Sequence, residues 1–127
     1  MELYPYFRCM AEEDVCAIVI CNLDHKIIYM NPAAKERYVK WGGEKLLGKN
    51  LLDCHNPTSA RMIQKVMDWF LESPAHNRIY TSYNEKENKD VYMVALREEN
   101  GDLIGYYEKH EYRNRETAPF YAGIKEA

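Results

Sequence analysis

Long apolar stretches are absent from this sequence of 127 residues. No run approaches the roughly 20 apolar residues that a transmembrane helix needs, so the sequence predicts no membrane partner. The N-terminal segment, residues 1–6, has neither a basic start nor a long apolar core, which excludes a typical signal peptide. Together these absences predict a cytoplasmic protein.

Cysteines are also few, and their spacing excludes the common metal motifs. The four cysteines are Cys9, Cys16, Cys21 and Cys54, and none pairs as C-x-x-C. A zinc site needs closely spaced Cys and His ligands, and only Cys54 has such a neighbour, His55. Small buried thiols in a reducing compartment are the simpler interpretation.

The chain has no strong charge of one sign. Its net charge is −3, with acidic and basic residues spread throughout. The local basic cluster, residues 109–115, is interleaved with Glu108 and Glu111. A nucleic-acid surface needs a clustered basic face, so we predict no nucleic-acid partner.

Catalytic motifs with a known mechanism are missing as well. Asp53, Cys54 and His55 offer the residue types of an acid, a nucleophile and a base. Side chains that are adjacent along a chain seldom meet in the geometry that a nucleophile and its base require. We therefore predict that the protein is not an enzyme.

Hydrophobic residues are plentiful at 46%, enough for one domain with a real core. Helical periodicity predicts a helix over residues 3–14, a short one over 32–39 and a long amphipathic one over 57–72. Alternating apolar segments predict strands over 16–22, 26–30, 78–83, 90–97 and 103–112. Asn31-Pro32 marks a helix start, because Asn caps free backbone N–H groups and Pro suits the first turn.

Two apolar strands joined by a turn at Asp24-His25 and followed by Asn31-Pro32-Ala33-Ala34 resemble the opening of a PAS domain. The runs Leu-Leu-Gly-Lys-Asn-Leu-Leu at 46–52 and Glu-Asn-Gly-Asp-Leu-Ile-Gly at 99–105 extend the resemblance. It implies an α+β fold, in which a five-stranded antiparallel sheet has helices packed on one face. The PAS domain would span residues 15–112, after an N-terminal helix over 1–14 and before a C-terminal tail over 113–127.

The resemblance also implies a function. PAS domains are sensory and regulatory modules in signal transduction, and this one would bind a small ligand between the sheet and the helices. This sequence contains no output domain, so it would signal through a homodimer or a separate output protein, or it would be part of a longer chain. An amphipathic N-terminal helix and a tyrosine-rich sheet surface suit a dimer contact. A filled core that serves only for protein interaction or dimerisation is the alternative.

Ligand contacts are predicted on both walls of that pocket. The candidates are Leu52, His55, Ile63, Val66 and Met67 on the helical side, and Tyr92, Met93 and Ile104 on the strands. The strand register stays open, because a slip of one residue exchanges the faces of a strand. Either of the two alternating sets of residues on each strand is therefore a candidate to face the pocket. His25, His76 and His110 are expected to face water.

Known PAS cofactors differ in how well they suit the sequence. Flavin domains of the LOV type carry a reactive cysteine directly after a Gly-x-Asn run, but here Gly48-Lys49-Asn50 is followed by Leu51. Cys54 comes three residues later and is expected to point elsewhere. Haem is the other candidate, with His55 as the iron ligand and Met93 or another sulfur as a second ligand, although His55 precedes the long helix that usually supplies this histidine. The cofactor stays open.

Overall fold

Five antiparallel strands form one sheet in the computed structural model, which describes residues 1–125. The strands are β1 Val19–Asn22, β2 Ile27–Met30, β3 Arg78–Asn84, β4 Lys89–Arg97 and β5 Leu103–Tyr112. They lie in the order β2-β1-β5-β4-β3, so the first and last strands of the chain are neighbours in the sheet. The predicted five-stranded antiparallel sheet is confirmed.

The helices lie where apolar periodicity and capping residues predicted them. They are α1 Tyr4–Glu13, α2 Pro32–Arg37 and α3 Pro57–Glu72, with short 3₁₀ turns at Val39–Trp41, Gly43–Leu46 and Leu51–Cys54. Asn31 caps α2 by accepting a hydrogen bond from the Ala34 N–H, and Asn56 caps α3 in the same way. The buried stripe of α3 is Ile63, Val66, Met67 and Phe70.

The register decides which side chains of β4 and β5 face the helices. Met93 is paired with Glu108, and both lie on the inner face, with Val91 and Tyr106 on the same side. A β-bulge interrupts this ladder, because Leu96 pairs with Gly105 while Arg97 pairs with Leu103. Because of this extra residue, the Ile104 side chain does not face the helices as regular alternation with Tyr106 would predict, and it is 46% exposed. Leu103 packs into the core instead.

Helix α1 is attached to the domain through its end and buries no residue of its own. The Asn31 side chain donates to the Ala11 carbonyl, and the Tyr29 hydroxyl donates to Glu12. The apolar side chains of α1, among them Phe7 and Met10, stay exposed. Within residues 1–125, no helix has the length and apolar character needed to cross a membrane.

The tail leaves the sheet at the end of β5. The Arg113 N–H donates to the Asn88 carbonyl, and from residue 113 to residue 125 every residue is exposed. Residues 126 and 127, the end of the predicted tail, lie outside the described residues. The domain boundaries at 15 and 112 stay a prediction.

Candidate functional site

A cavity of about 880 Å³ opens between the inner sheet face and the segment that leads into α3. This volume lies within the range of small-molecule sites. The apolar part of its lining comes from strands and helices and includes Val19, Ile27, Met30, Leu46, Leu51, Ile63 and Met93. The polar part comes from Tyr38, Lys49, Asn50, Asp53, His55, Tyr106 and Glu108.

The sequence-based ligand candidates fall into three groups in the structure. His55, Ile63 and Met93 line the cavity. Val66 and Met67 are buried in the core behind it, and Leu52 is half-buried against that core, so these three support the wall without lining it. Whether the lining residues contact a ligand stays a prediction.

Tyr92 and Ile104 form the third group, and their assignment to the ligand wall is corrected. Tyr92 points to the outer face, where the Arg78 guanidinium lies 4.1 Å from its ring centroid and the Tyr80 ring packs 5.3 Å away. The alternation of β4 gives Met93 the inner face and Tyr92 the outer one. Ile104 is displaced by the bulge described above.

His25 is buried rather than exposed, which corrects a second expectation. Its Nδ1 lies 2.8 Å from the hydroxyl of Tyr106, and the two rings meet edge to face. Burial lowers the pKa of His25, which favours the neutral ring. A positive φ of 63° at His25 turns the chain so that the ring reaches across the sheet toward β5. This contact holds the side chain of Tyr106, which lines the cavity, in one position.

His110 is likewise buried, with 5% of its side chain exposed, and it joins a row of charged groups. Lys89 Nζ lies 2.8 Å from His110 Nδ1 and 3.3 Å from a Glu87 oxygen. On its other side, His110 Nε2 lies 3.3 Å from Glu108 Oε1. Arg37 completes the row by donating two hydrogen bonds of 2.9 Å to Glu87.

The row connects the cavity with the surface near the β3–β4 turn. Glu108 forms its cavity end, and Arg37 forms its surface end. The hydrogen bonds from Arg37 lower the pKa of Glu87 to about 2, so Glu87 is an anion in the folded protein. Lys89 is 2% exposed, and its charge is tolerated because these partners compensate it. No periodicity in the sequence pointed to Lys89 or Glu87, since a lysine among strand residues usually faces water.

The mouth of the cavity is formed by the 3₁₀ turn before α3. Asp53, Cys54 and His55 are exposed there, and the ring of His55 makes no hydrogen bond with the residues that the structure describes. Cys54 lines the cavity, contrary to the expectation that it points elsewhere, and its thiol approaches the Asn50 carbonyl at 3.9 Å. A bound molecule would therefore shield this thiol.

Cys54 and Cys21 should differ sharply in reactivity, because Cys21 is 1% exposed in the cavity wall. Burial raises the pKa of Cys21 to about 11, which leaves little thiolate at about pH 8. We expect a short pulse of iodoacetamide to modify Cys54 in the native protein and to reach Cys21 only after unfolding. Peptide mass spectrometry measures both, and equal labelling of the two thiols would contradict this arrangement.

A family model described as PAS fold matches residues 11–109, which is most of the chain. The chain therefore belongs to the PAS fold family, and the resemblance noted in its sequence is confirmed. No curated protein matches the chain.

Several solved structures share the fold. The PAS domain of a protein from Colwellia psychrerythraea has a TM-score of 0.65 and 15% identity, over 88% of this chain and 98% of that chain. A sensory box sensor histidine kinase from Vibrio cholerae has a TM-score of 0.56 and 18% identity, over 87% and 91%. The Aer2 receptor from Vibrio cholerae, a dual PAS-heme oxygen sensor, has a TM-score of 0.54 and 15% identity, over 77% and 94%.

Proposed function

We propose that this protein is a sensory or regulatory module that binds a small ligand in the cavity above the sheet. The observation that carries the proposal is the cavity itself, which combines an apolar wall with a few converging polar groups. A filled core, the alternative from the sequence, would leave no such space at this place. The PAS fold and its two sensor neighbours support the same class of function.

Signal output would pass through a homodimer or a separate partner protein. Helix α1 supports this step because its apolar side chains, among them Phe7 and Met10, stay exposed within the part of the chain that the structure describes. Asn31 ties the end of α1 to the start of α2, so a change around β2 reaches α1 directly. Ligand binding would then alter how α1 meets a second protein.

Haem is the second candidate ligand, and the ring of His55 favours it. That imidazole lines the cavity and makes no hydrogen bond with the described residues, so it is free to bind iron. The Met93 thioether on the sheet wall is the sulfur that could serve as a second ligand, and Lys49 at the mouth offers a cation for a propionate. Bound haem would supply the ability to bind a diatomic gas or change redox state.

The test is an absorption spectrum between about 300 and 700 nm of protein purified from cells given haem precursor, combined with mass spectrometry of extracted molecules. For the haem candidate we expect a Soret band that His55→Ala abolishes. His76→Ala is the matched control, because His76 stacks on Trp69 away from the cavity. A Soret band that survives His55→Ala would remove His55 as the ligand.

The same preparation tests the broader proposal. A molecule recovered from the wild-type protein should protect Cys54 from iodoacetamide and should shift the dimer equilibrium in analytical ultracentrifugation. Protein that yields no molecule by extraction, and that binds none of the probes described below, would contradict ligand sensing. The protein would then be an interaction or dimerisation module whose cavity binds no ligand.

A further inference from the structure

Two carboxylates line the cavity among the described residues, and they differ in their surroundings. Asp53 lies at the exposed mouth of the cavity, whereas Glu108 lies on β5, in the part of the lining that the sheet forms. Glu108 keeps 42% of its side chain exposed, while its neighbour His110 keeps 5%. Since Glu108 lies on the inner face of the sheet, the space that it reaches is the cavity.

His110 determines how this carboxylate is held. The Lys89 ammonium can only donate a hydrogen bond, so His110 Nδ1, 2.8 Å away, accepts one. The ring proton is then on Nε2, and this nitrogen lies 3.3 Å from Glu108 Oε1. Apart from this ion-pair contact, the described residues make no side-chain hydrogen bond to Glu108, so its acceptor capacity is left for a molecule in the cavity.

Glu108 is also kept charged. Burial raises the pKa of this carboxyl, but the hydrogen bond from His110 and the positive charges nearby outweigh burial and lower the pKa overall. The charges of Lys89, Glu87 and Arg37 extend away from the cavity toward the surface. The sheet wall of the cavity therefore presents one anion, Glu108, whereas Lys49 and His55 line other parts of the same cavity.

We propose that the cavity selects small molecules that carry a protonated amine or another cationic nitrogen, which binds Glu108 while an apolar body packs against Ile63 and Met93. This inference rests on the proposed function, because it requires that the cavity bind a ligand. A charge-assisted hydrogen bond in such a low-dielectric wall is stronger than one in water. An anionic ligand of the same size would be repelled, and a neutral one would lack the attraction between charges.

His110 and Lys89 are positioning residues in this scheme. His110 holds the carboxylate by the 3.3 Å contact, and Lys89 selects the ring tautomer with its proton on the nitrogen beside Glu108. Neither has more than 5% of its side chain exposed, so neither is available to the ligand. The ligand class is therefore determined by Glu108 alone on this wall.

Three matched probes test the inference: phenylethylammonium, phenylethanol and phenylacetate. Titration is followed by the amide NMR signals of Met93 and Tyr106, which report on the wall beside Glu108. We expect the ammonium to bind at least about tenfold more tightly than the alcohol, and the carboxylate to bind most weakly. Glu108→Gln, which keeps the shape and removes the charge, should bring the ammonium close to the affinity of the alcohol.

Asp68→Asn is the matched control, since it removes an exposed carboxylate on α3 that does not line the cavity. It should change ammonium affinity by less than about twofold, because exposed charges are screened by solvent. Equal affinities of the three probes, or unchanged ammonium binding in a folded Glu108→Gln protein, would overturn the inference while leaving ligand binding intact. Failure of all three probes to bind would instead count against the proposed function as well.

Discussion

Replacing Asn31 with alanine is expected to lower the free energy of unfolding by about 3–5 kcal/mol, because several buried backbone groups lose their partner at once. The side chain is 0% exposed. Its oxygen accepts from the N–H groups of Ile18 and Ala34, both at 2.9 Å. Its amide group donates to the carbonyls of Ala11 and Cys16 at 2.9 Å and to that of Asp14 at 3.3 Å.

Asn56→Ala is the control for this prediction. Asn56 also caps a helix, but it is exposed and accepts one hydrogen bond, from the Ser59 N–H. Loss of such a cap costs about 1 kcal/mol. Urea unfolding of both variants gives the comparison, and equal losses of stability would show that Asn31 acts only as a cap.

A second variant, Asn31→Asp, separates the two roles of Asn31. It keeps the oxygen that caps α2 but replaces the donor amide with an acceptor that faces carbonyl groups. Hydrogen exchange should then increase in α1 more than in α2. Uniform exchange across both helices would contradict a specific attachment of α1 through this side chain.

Gly105→Ala is expected to destabilise the protein by about 3 kcal/mol or more, since there is no room for a side chain at this position, where β5 pairs with β1. A Cβ at this position would collide with the backbone carbonyl of Cys21 and would lie 3.4 Å from the Asn22 Cα. Backbone atoms of a paired strand cannot move aside without breaking the ladder between β1 and β5. The change also disturbs Cys21 and the adjacent Tyr106, so probe binding in the cavity should weaken.

Gly101→Ala provides the comparison within the same hairpin. Gly101 has a φ of +96°, but nothing lies within 4 Å of a Cβ built there. Its replacement strains only the local backbone, at a cost of about 1–2 kcal/mol. Urea unfolding curves rank the two variants, and a Gly105→Ala protein as stable as Gly101→Ala would contradict the close approach of the strands.

Local signals in the sequence predicted most of the fold. The long helix was predicted over 57–72, and α3 has those bounds, because its apolar stripe, its Asn56 cap and the stop at Ser73-Pro74 act within one segment. The caps Asn31 and Asn56 work through residues three positions away. The turn at Asn100-Gly101 likewise depends on neighbours in the chain.

The cavity was harder to predict because its residues meet through strand register. One sequence left both faces of β4 and β5 open, so Tyr92 and Met93 could not be told apart. Ile104 and Leu103 exchange roles at a bulge that no local pattern reveals. His25, His110 and Lys89 are polar residues on or near strands, and their burial depends on partners far away in the chain.

The neighbouring positions of β1 and β5 have a consequence for how this chain folds. Ile20 pairs with Tyr107, so the chain must be available from residue 20 to residue 107 before β1 and β5 can form their backbone hydrogen bonds. Contacts of such large sequence separation slow folding, because the entropy of loop closure is lost before the pairing stabilises it. During synthesis the β1–β2 and β3–β4 hairpins are complete before β5 has emerged from the ribosome. The cavity thus comes into existence only at the end of folding, when β5 joins the two halves and brings Tyr106 and Glu108 to its wall.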